Sequence, residues 1–145
     1  MIEESLLMNV NNSYKYNILL VDDYLPVRRM IKELIEAQPD LQVTGEFNDG
    51  RELLKYLEKS KAHLILLDIS MPNLGGFEAA RQVKQDYPEV KVLMLTIHKY
   101  KEYAERAMAL GAEGYLLKEE VGDELMSAIN SLRQGQTFIS PALSV

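Results

Sequence analysis

The feature that most constrains this chain is His63-Leu64-Ile65-Leu66-Leu67-Asp68-Ile69-Ser70-Met71-Pro72-Asn73-Leu74-Gly75-Gly76, an apolar run that stops at a carboxylate and breaks into a Pro/Gly turn. A continuous apolar stretch bounded by turn residues reads as a strand buried on both faces, the interior of a parallel sheet. Asp68 is thereby placed at a sheet edge, where open α/β folds bind their ligands.

The pattern occurs earlier as well. Asn17-Ile18-Leu19-Leu20-Val21 is a short apolar run that stops at Asp22-Asp23. Pro26 then sits where a first helical turn tolerates it, and Val27, Met30, Ile31, Leu34 and Ile35 share one face of a helix that ends before Pro39. Leu41, Val43 and Gly45 alternate with Gln42, Thr44 and Glu46 as a half-buried strand. Asp49 and Glu52 form a capping box for a second helix carrying Leu53, Leu54 and Leu57.

After the Asp68 strand the spacing predicts a third helix through Phe77, Ala80, Val83 and Lys84, closing near Pro88. Val90 to Thr96 is a fourth strand, Tyr100 to Leu110 a fourth helix stopped by Gly111, and Gly114 to Lys118 a fifth strand. A last helix with Leu125, Met126, Ile129 and Leu132 on one face ends at Gly135. Five alternations of strand and helix predict an α/β fold with a parallel sheet and helices on both faces. The carboxyl ends of the strands then share one edge, carrying Asp22, Asp23, Asp68, Thr96 and Lys118.

A length of 145 residues with 47% hydrophobic content suits one domain, read as residues 16–135 after an extension over 1–15 of no assigned role. A net charge of -6, from 22 acidic and 16 basic side chains, disfavours direct binding to nucleic acid or an anionic membrane. DNA binding would require another domain. Zero cysteines exclude disulfides and thiolate chemistry, and the start Met1-Ile2-Glu3-Glu4-Ser5 lacks the positive flank of a signal peptide. No run is long and apolar enough to span a bilayer, so a cytoplasmic protein without a membrane partner is expected.

Three carboxylates brought together must share a proton at raised pKa or bind a cation. All-oxygen ligation suits Mg²⁺, or Mn²⁺, which keeps several waters and takes one or two carboxylates plus a phosphate oxygen. Lys118 offers an ammonium and Thr96 a hydroxyl to phosphoryl oxygens. Asp68, alone on the central strand, is the candidate nucleophile for an acyl phosphate.

These motifs, Leu20-Val21-Asp22-Asp23, Leu66-Leu67-Asp68-Ile69-Ser70-Met71-Pro72 with Gly75, Leu95-Thr96 and Gly114-Tyr115-Leu116-Leu117-Lys118, resemble the receiver domain of two-component response regulators from about Ile18 through Leu132. The resemblance implies a flavodoxin-like, doubly wound (βα)5 fold with five parallel strands in the order 2-1-3-4-5. It implies that Asp68 accepts phosphate from a histidine kinase and that Asp23 binds Mg²⁺ directly, Asp22 through water, with the Ser70 backbone carbonyl a further ligand. Lys118 and Thr96 would contact the phosphoryl group. Thr96 and Tyr115 would form the switch, the hydroxyl moving toward phosphate as the ring turns inward. A homodimer on phosphorylation is implied too.

Two positions depart from the common receiver pattern. Glu119 stands where proline often follows the lysine, so a trans bond is expected. Ile97 is larger than the alanine or glycine common after the switch threonine, which predicts a narrowed approach and slow phosphorylation by small donors or slow hydrolysis. His98 and His63 read as solvated and structural respectively, and Arg28, Arg29, Lys99 and Lys101 as solvated surface.

The tail Arg133-Gln134-Gly135-Gln136-Thr137-Phe138-Ile139-Ser140-Pro141 resembles the exit from the receiver in the NarL/LuxR class of transcriptional regulators, so residues 136–145 read as the start of a linker to a DNA-binding domain that this chain does not contain. The alternatives are a stand-alone receiver acting by protein contact or as a phosphorelay intermediate, and an aspartate-nucleophile phosphatase. The phosphatase expects a second acid two residues past the nucleophile, where this chain has Ser70, so a durable acyl phosphate rather than an enzyme is expected.

Overall fold

The structure, a computed structural model, describes residues 15–71 and 73–143. The expected extension therefore lies outside the described residues apart from Lys15, as does Pro72. Strands and helices alternate as β1 (Tyr16–Val21), α1 (Leu25–Glu36), β2 (Leu41–Phe47), α2 (Gly50–Leu57), β3 (Leu64–Asp68), α3 (Gly76–Asp86), β4 (Lys91–Thr96), α4 (Lys101–Ala109), β5 (Gly114–Leu117), α5 (Val121–Arg133) and β6 (Phe138–Ile139). Short 3₁₀ turns occupy Lys118–Glu120 and Pro141–Leu143.

All pairings are parallel, in the order β2-β1-β3-β4-β5-β6. The expected order of the first five strands holds, and the sheet has six strands rather than five. The sixth was hidden because Phe138-Ile139 is a two-residue run hemmed in by Thr137 and Ser140-Pro141, too short for a periodic signal.

Every residue of β3 is buried, as a central strand covered on both faces requires. Leu64 and Leu66 join Ile18, Leu20, Ile31, Ile35, Leu125 and Ile129 beneath α1 and α5. Ile65 and Leu67 face the opposite layer with Leu53, Ala80, Val83 and Ala107, beneath α2, α3 and α4. Each face holds one half of the core, and the strand between them cannot slip by one residue without exchanging its entire side-chain set.

Helix ends are set locally. Asp49 caps α2, its side chain accepting from the Glu52 N–H at 3.0 Å, while Glu52 accepts from the Asn48 N–H at 3.0 Å, so the capping box closes one residue upstream of its ideal form. Gly76, at the start of α3, lies against the end of β3: a Cβ there would stand 2.1 Å from the Asp68 carbonyl oxygen and 2.6 Å from Ile69 Cα. Only glycine lets α3 begin so close to the strand that carries Asp68.

The tail is laced to β5. The Phe138 N–H bonds the Glu113 carbonyl and the Ser140 N–H bonds the Tyr115 carbonyl, at 3.0 and 2.9 Å. Where β6 runs out, the fully buried Ser140 hydroxyl accepts from the Leu117 N–H at 2.8 Å and extends the ladder by one side-chain bond. Ser140→Ala orphans a buried donor, and a loss of about 1–3 kcal/mol is expected in urea denaturation, with the Leu117 amide exchanging faster with solvent. An unchanged midpoint would mean that this bond contributes nothing.

Candidate functional site

The carboxyl ends of β1, β3 and β5 bring Asp22, Asp68 and Lys118 together. Asp22 is the first residue beyond β1, Asp68 the last of β3, and Lys118 the first beyond β5, which ends one residue earlier than expected. The Lys118 Nζ lies 2.8 Å from Asp22 Oδ2 and 3.3 Å from Asp68 Oδ1. Asp22 and Asp68 are 1% and 5% exposed, so this is an ion triad cut off from water rather than a surface salt bridge. Asp23 is exposed at the rim, and one carboxylate oxygen from each of Asp22, Asp23 and Asp68 lies within 4.8 Å of the others.

One ammonium does not neutralise three carboxylates. Burial, and then the charge of Asp22, push Asp68 up to about 6, with Lys118 and the Ser70 N–H, which donates to Asp68 Oδ1 at 3.4 Å, opposing the shift. Burial opposes charge on Lys118, yet Asp22 and Asp68 together hold its ammonium above the ordinary lysine range. Asp22 Oδ1 accepts from the Tyr24 N–H at 2.8 Å, whereas its buried Oδ2, beside the ammonium, lacks a well-directed hydrogen bond. An incompletely satisfied buried oxygen within a set of convergent carboxylates fits a hard, oxygen-seeking divalent cation.

Thr96 ends β4 and is 1% exposed. Its Oγ1 accepts from the His98 N–H at 2.9 Å, and the phenol of the fully buried Tyr115 donates to the His98 carbonyl at 3.1 Å. The two residues read as a switch are thus joined through the His98 backbone, with the Tyr115 ring inward. Burial raises the Tyr115 phenol above its usual range.

His98 itself departs from the solvated reading. It is half-buried, stacked on Tyr100 at 5.9 Å between ring centroids and edge-on to Tyr103 at 5.3 Å. Arg28 departs further: its side chain is 13% exposed, and its guanidinium bonds the Asp22 carbonyl, Asn48 Oδ1 and Glu46 Oε1. Charge type alone could not reveal the Arg28 contacts, because their partners lie on and beyond β2. Arg29, Lys99 and Lys101 are exposed as read, and His63 is structural, accepting from the Asn17 N–H and stacked on Tyr16. Ile97 is 73% exposed, and no peptide bond among the described residues is cis, Lys118-Glu119 included.

Comparison with known proteins gives one family and a set of relatives. Residues 18–130 match the model of the response regulator receiver domain. The chain is 37% identical over 133 residues to the transcriptional regulatory protein DegU of Brevibacillus brevis, covering 92% of this chain and 56% of that protein. Among solved structures it is similar to a LuxR-family two-component response regulator from Aurantimonas sp. SI85-9A1, at 31% identity and a TM-score of 0.84, covering 88% of this chain and 91% of the other. It is also similar to the RcsB response regulator of Salmonella typhimurium, described for its conformational dynamism in DNA interaction, at 27% identity and a TM-score of 0.84, covering 90% and 66%. The chain spans a little over half the length of the curated relatives it matches. These relatives are signalling proteins rather than enzymes. No helix among the described residues is long and apolar enough to cross a membrane.

Buried, ionised Asp68 lowers stability. Its folded-state pKa of about 6 lies above the ordinary 3.8, so the folded protein holds the proton more tightly and this cost grows as pH rises from 4 to 6. Without divalent cations, Asp68→Asn is expected to be more stable than wild type by about 1–3 kcal/mol at pH 8, the difference closing below pH 4. Denaturation curves across that range check it, and a pH-independent difference would contradict the electrostatic origin.

Proposed function

This chain belongs to the response regulator receiver domain family, and from that premise we propose that Asp68 is its phosphoacceptor, taking a phosphoryl group from a histidine kinase with Mg²⁺ at the acidic edge. The single observation carrying the assignment is the position of Asp68: buried at the end of the central strand, within reach of both Lys118 and the other two carboxylates.

In this reading Asp23 would hold the cation directly and Asp22 through water, with one Asp68 oxygen and the Ser70 carbonyl completing the protein's share. Mg²⁺, or Mn²⁺ in its place, supplies positive charge against which carboxylates and phosphoryl oxygens approach one another. An Asp68 carboxylate oxygen forms the new bond to phosphorus as the bond from phosphorus to the kinase histidine nitrogen breaks, and that nitrogen keeps the electron pair. Lys118 carries its ammonium beside Asp68 and so stabilises charge on the transferred group, and Thr96 supplies a hydroxyl once its bond to the His98 N–H is exchanged for one to phosphate. The His98 carbonyl, bonded to Tyr115, lies on the same short segment, so that exchange is felt at the Tyr115 ring and the α4–β5–α5 face.

The output we infer is DNA binding by a further domain, with the receivers pairing on phosphorylation. Support comes from the coverage of DegU, whose remaining length lies outside the match, and from the DNA interaction described for RcsB. The exposed Ser70 provides no acid for turnover, which favours a signalling acyl phosphate over a phosphatase. The setting is cytoplasmic.

Incubation with a small acyl phosphate donor should add the mass of one phosphoryl group to the intact protein when Mg²⁺ is present, and none after chelation of the metal. Asp68→Asn is expected to abolish the gain. Equal uptake by Asp68→Asn and wild type would reassign the acceptor.

A further inference from the structure

β1 and β2 pair as far as Val21 and Phe47, where the register of paired residues ends. Asp22 and Asp23 begin there, on a loop that must bring two negative charges toward a third, against their mutual repulsion. What restrains the loop is visible on the helix that follows. The Asp22 N–H bonds the Phe47 carbonyl at 3.1 Å, and the Asp22 carbonyl accepts from Arg28 Nη1 at 2.7 Å. The same Nη1 reaches Asn48 Oδ1 at 2.8 Å, and Nε bonds Glu46 Oε1 at 3.2 Å. Glu46 is itself held by Lys32 at 3.1 Å. One planar fork thus ties the end of β1, the end of β2 and the first turns of α1 together, a geometry that a lysine point charge does not reproduce.

We propose that Arg28 is a positioning residue for the cation site, clamping the Asp22 carbonyl to the end of β2 so that the Asp22 and Asp23 carboxylates stay convergent before any cation arrives. The inference rests on the acidic cluster being a Mg²⁺ site. The clamp spends folding energy to hold like charges close, so a cation binds a preformed cage instead of having to order one. Groups that orient ligands in this way typically change metal affinity about 10- to 100-fold when removed.

The test is Mg²⁺ titration of the whole chain by calorimetry, with hydrogen exchange at the Asp22 and Asp23 amides of the metal-free protein as a second readout. Arg28→Met is expected to weaken Mg²⁺ binding by about tenfold or more and to speed exchange at both amides. Arg28→Lys, which keeps the charge and loses the fork, should not restore either. Glu46→Ala leaves the bond to Asp22 and removes one anchor of the guanidinium, and should fall between Arg28→Met and wild type, which keeps the proposal testable if Arg28→Met folds poorly. Arg29→Met, on the exposed neighbour, should match wild type. If Arg28→Met or Arg28→Lys binds Mg²⁺ with wild-type affinity while Asp23→Asn does not bind, the clamp is overturned and the cation site stands. If wild type shows no saturable Mg²⁺ binding, the reading of the site itself fails.

Discussion

Three carboxylates that repel one another are held at one edge of a parallel sheet, and most of what is distinctive in this structure exists to keep them there. Asp22 and Asp68 are nearly excluded from water, where their repulsion is strongest, and Lys118 is the counter-charge built into the fold. The balance is incomplete: burial, and then the charge of Asp22, raise the Asp68 pKa despite the ammonium beside it. A site that is short of positive charge is suited to a cation and then to a phosphoryl group. Its resting strain is the same property as its capacity to respond.

The scaffold resists that repulsion by rigidity. β3 is buried along its whole length between two separate halves of the core, so Asp68 cannot retreat along the strand. Gly76 brings α3 against the Asp68 carbonyl, Arg28 holds the Asp22 backbone, and Ser140 secures the strand that leads into Lys118. The last of these ties the charged edge to the segment leaving α5. A shift of β5 at Tyr115 or Leu117 therefore pulls directly on residues 138–140, without needing to pass through the rest of the core.

What could be read from the sequence, and what could not, divides along the range of the interactions. β3, its terminal Asp68 and the alternation of strands with helices follow from apolar runs and breakers a few residues apart, and the common edge follows from handed crossovers. The convergence of Asp22, Asp68 and Lys118 was legible for that reason. The β6 strand was not, because its two residues are ordered by β5 rather than by any pattern of their own. Arg28 looked like one more charged residue on a helix, since its partners Glu46 and Asn48 lie 18 and 20 positions away. The partial burial of His98 is a local feature, set by Tyr100 and Tyr103 two and five residues on, and it carries no apolar period that would announce it.

The atom that receives phosphorus decides what this site does. After reaction with a small acyl phosphate donor and Mg²⁺, borohydride reduction converts an aspartyl phosphate to homoserine, and tandem mass spectrometry of the peptides places the change on one residue. Homoserine is expected at position 68 alone, with none formed when Mg²⁺ is removed beforehand. Conversion at Asp22 or Asp23, or a stable phosphate on Ser70 or Thr96 that borohydride leaves intact, would contradict it.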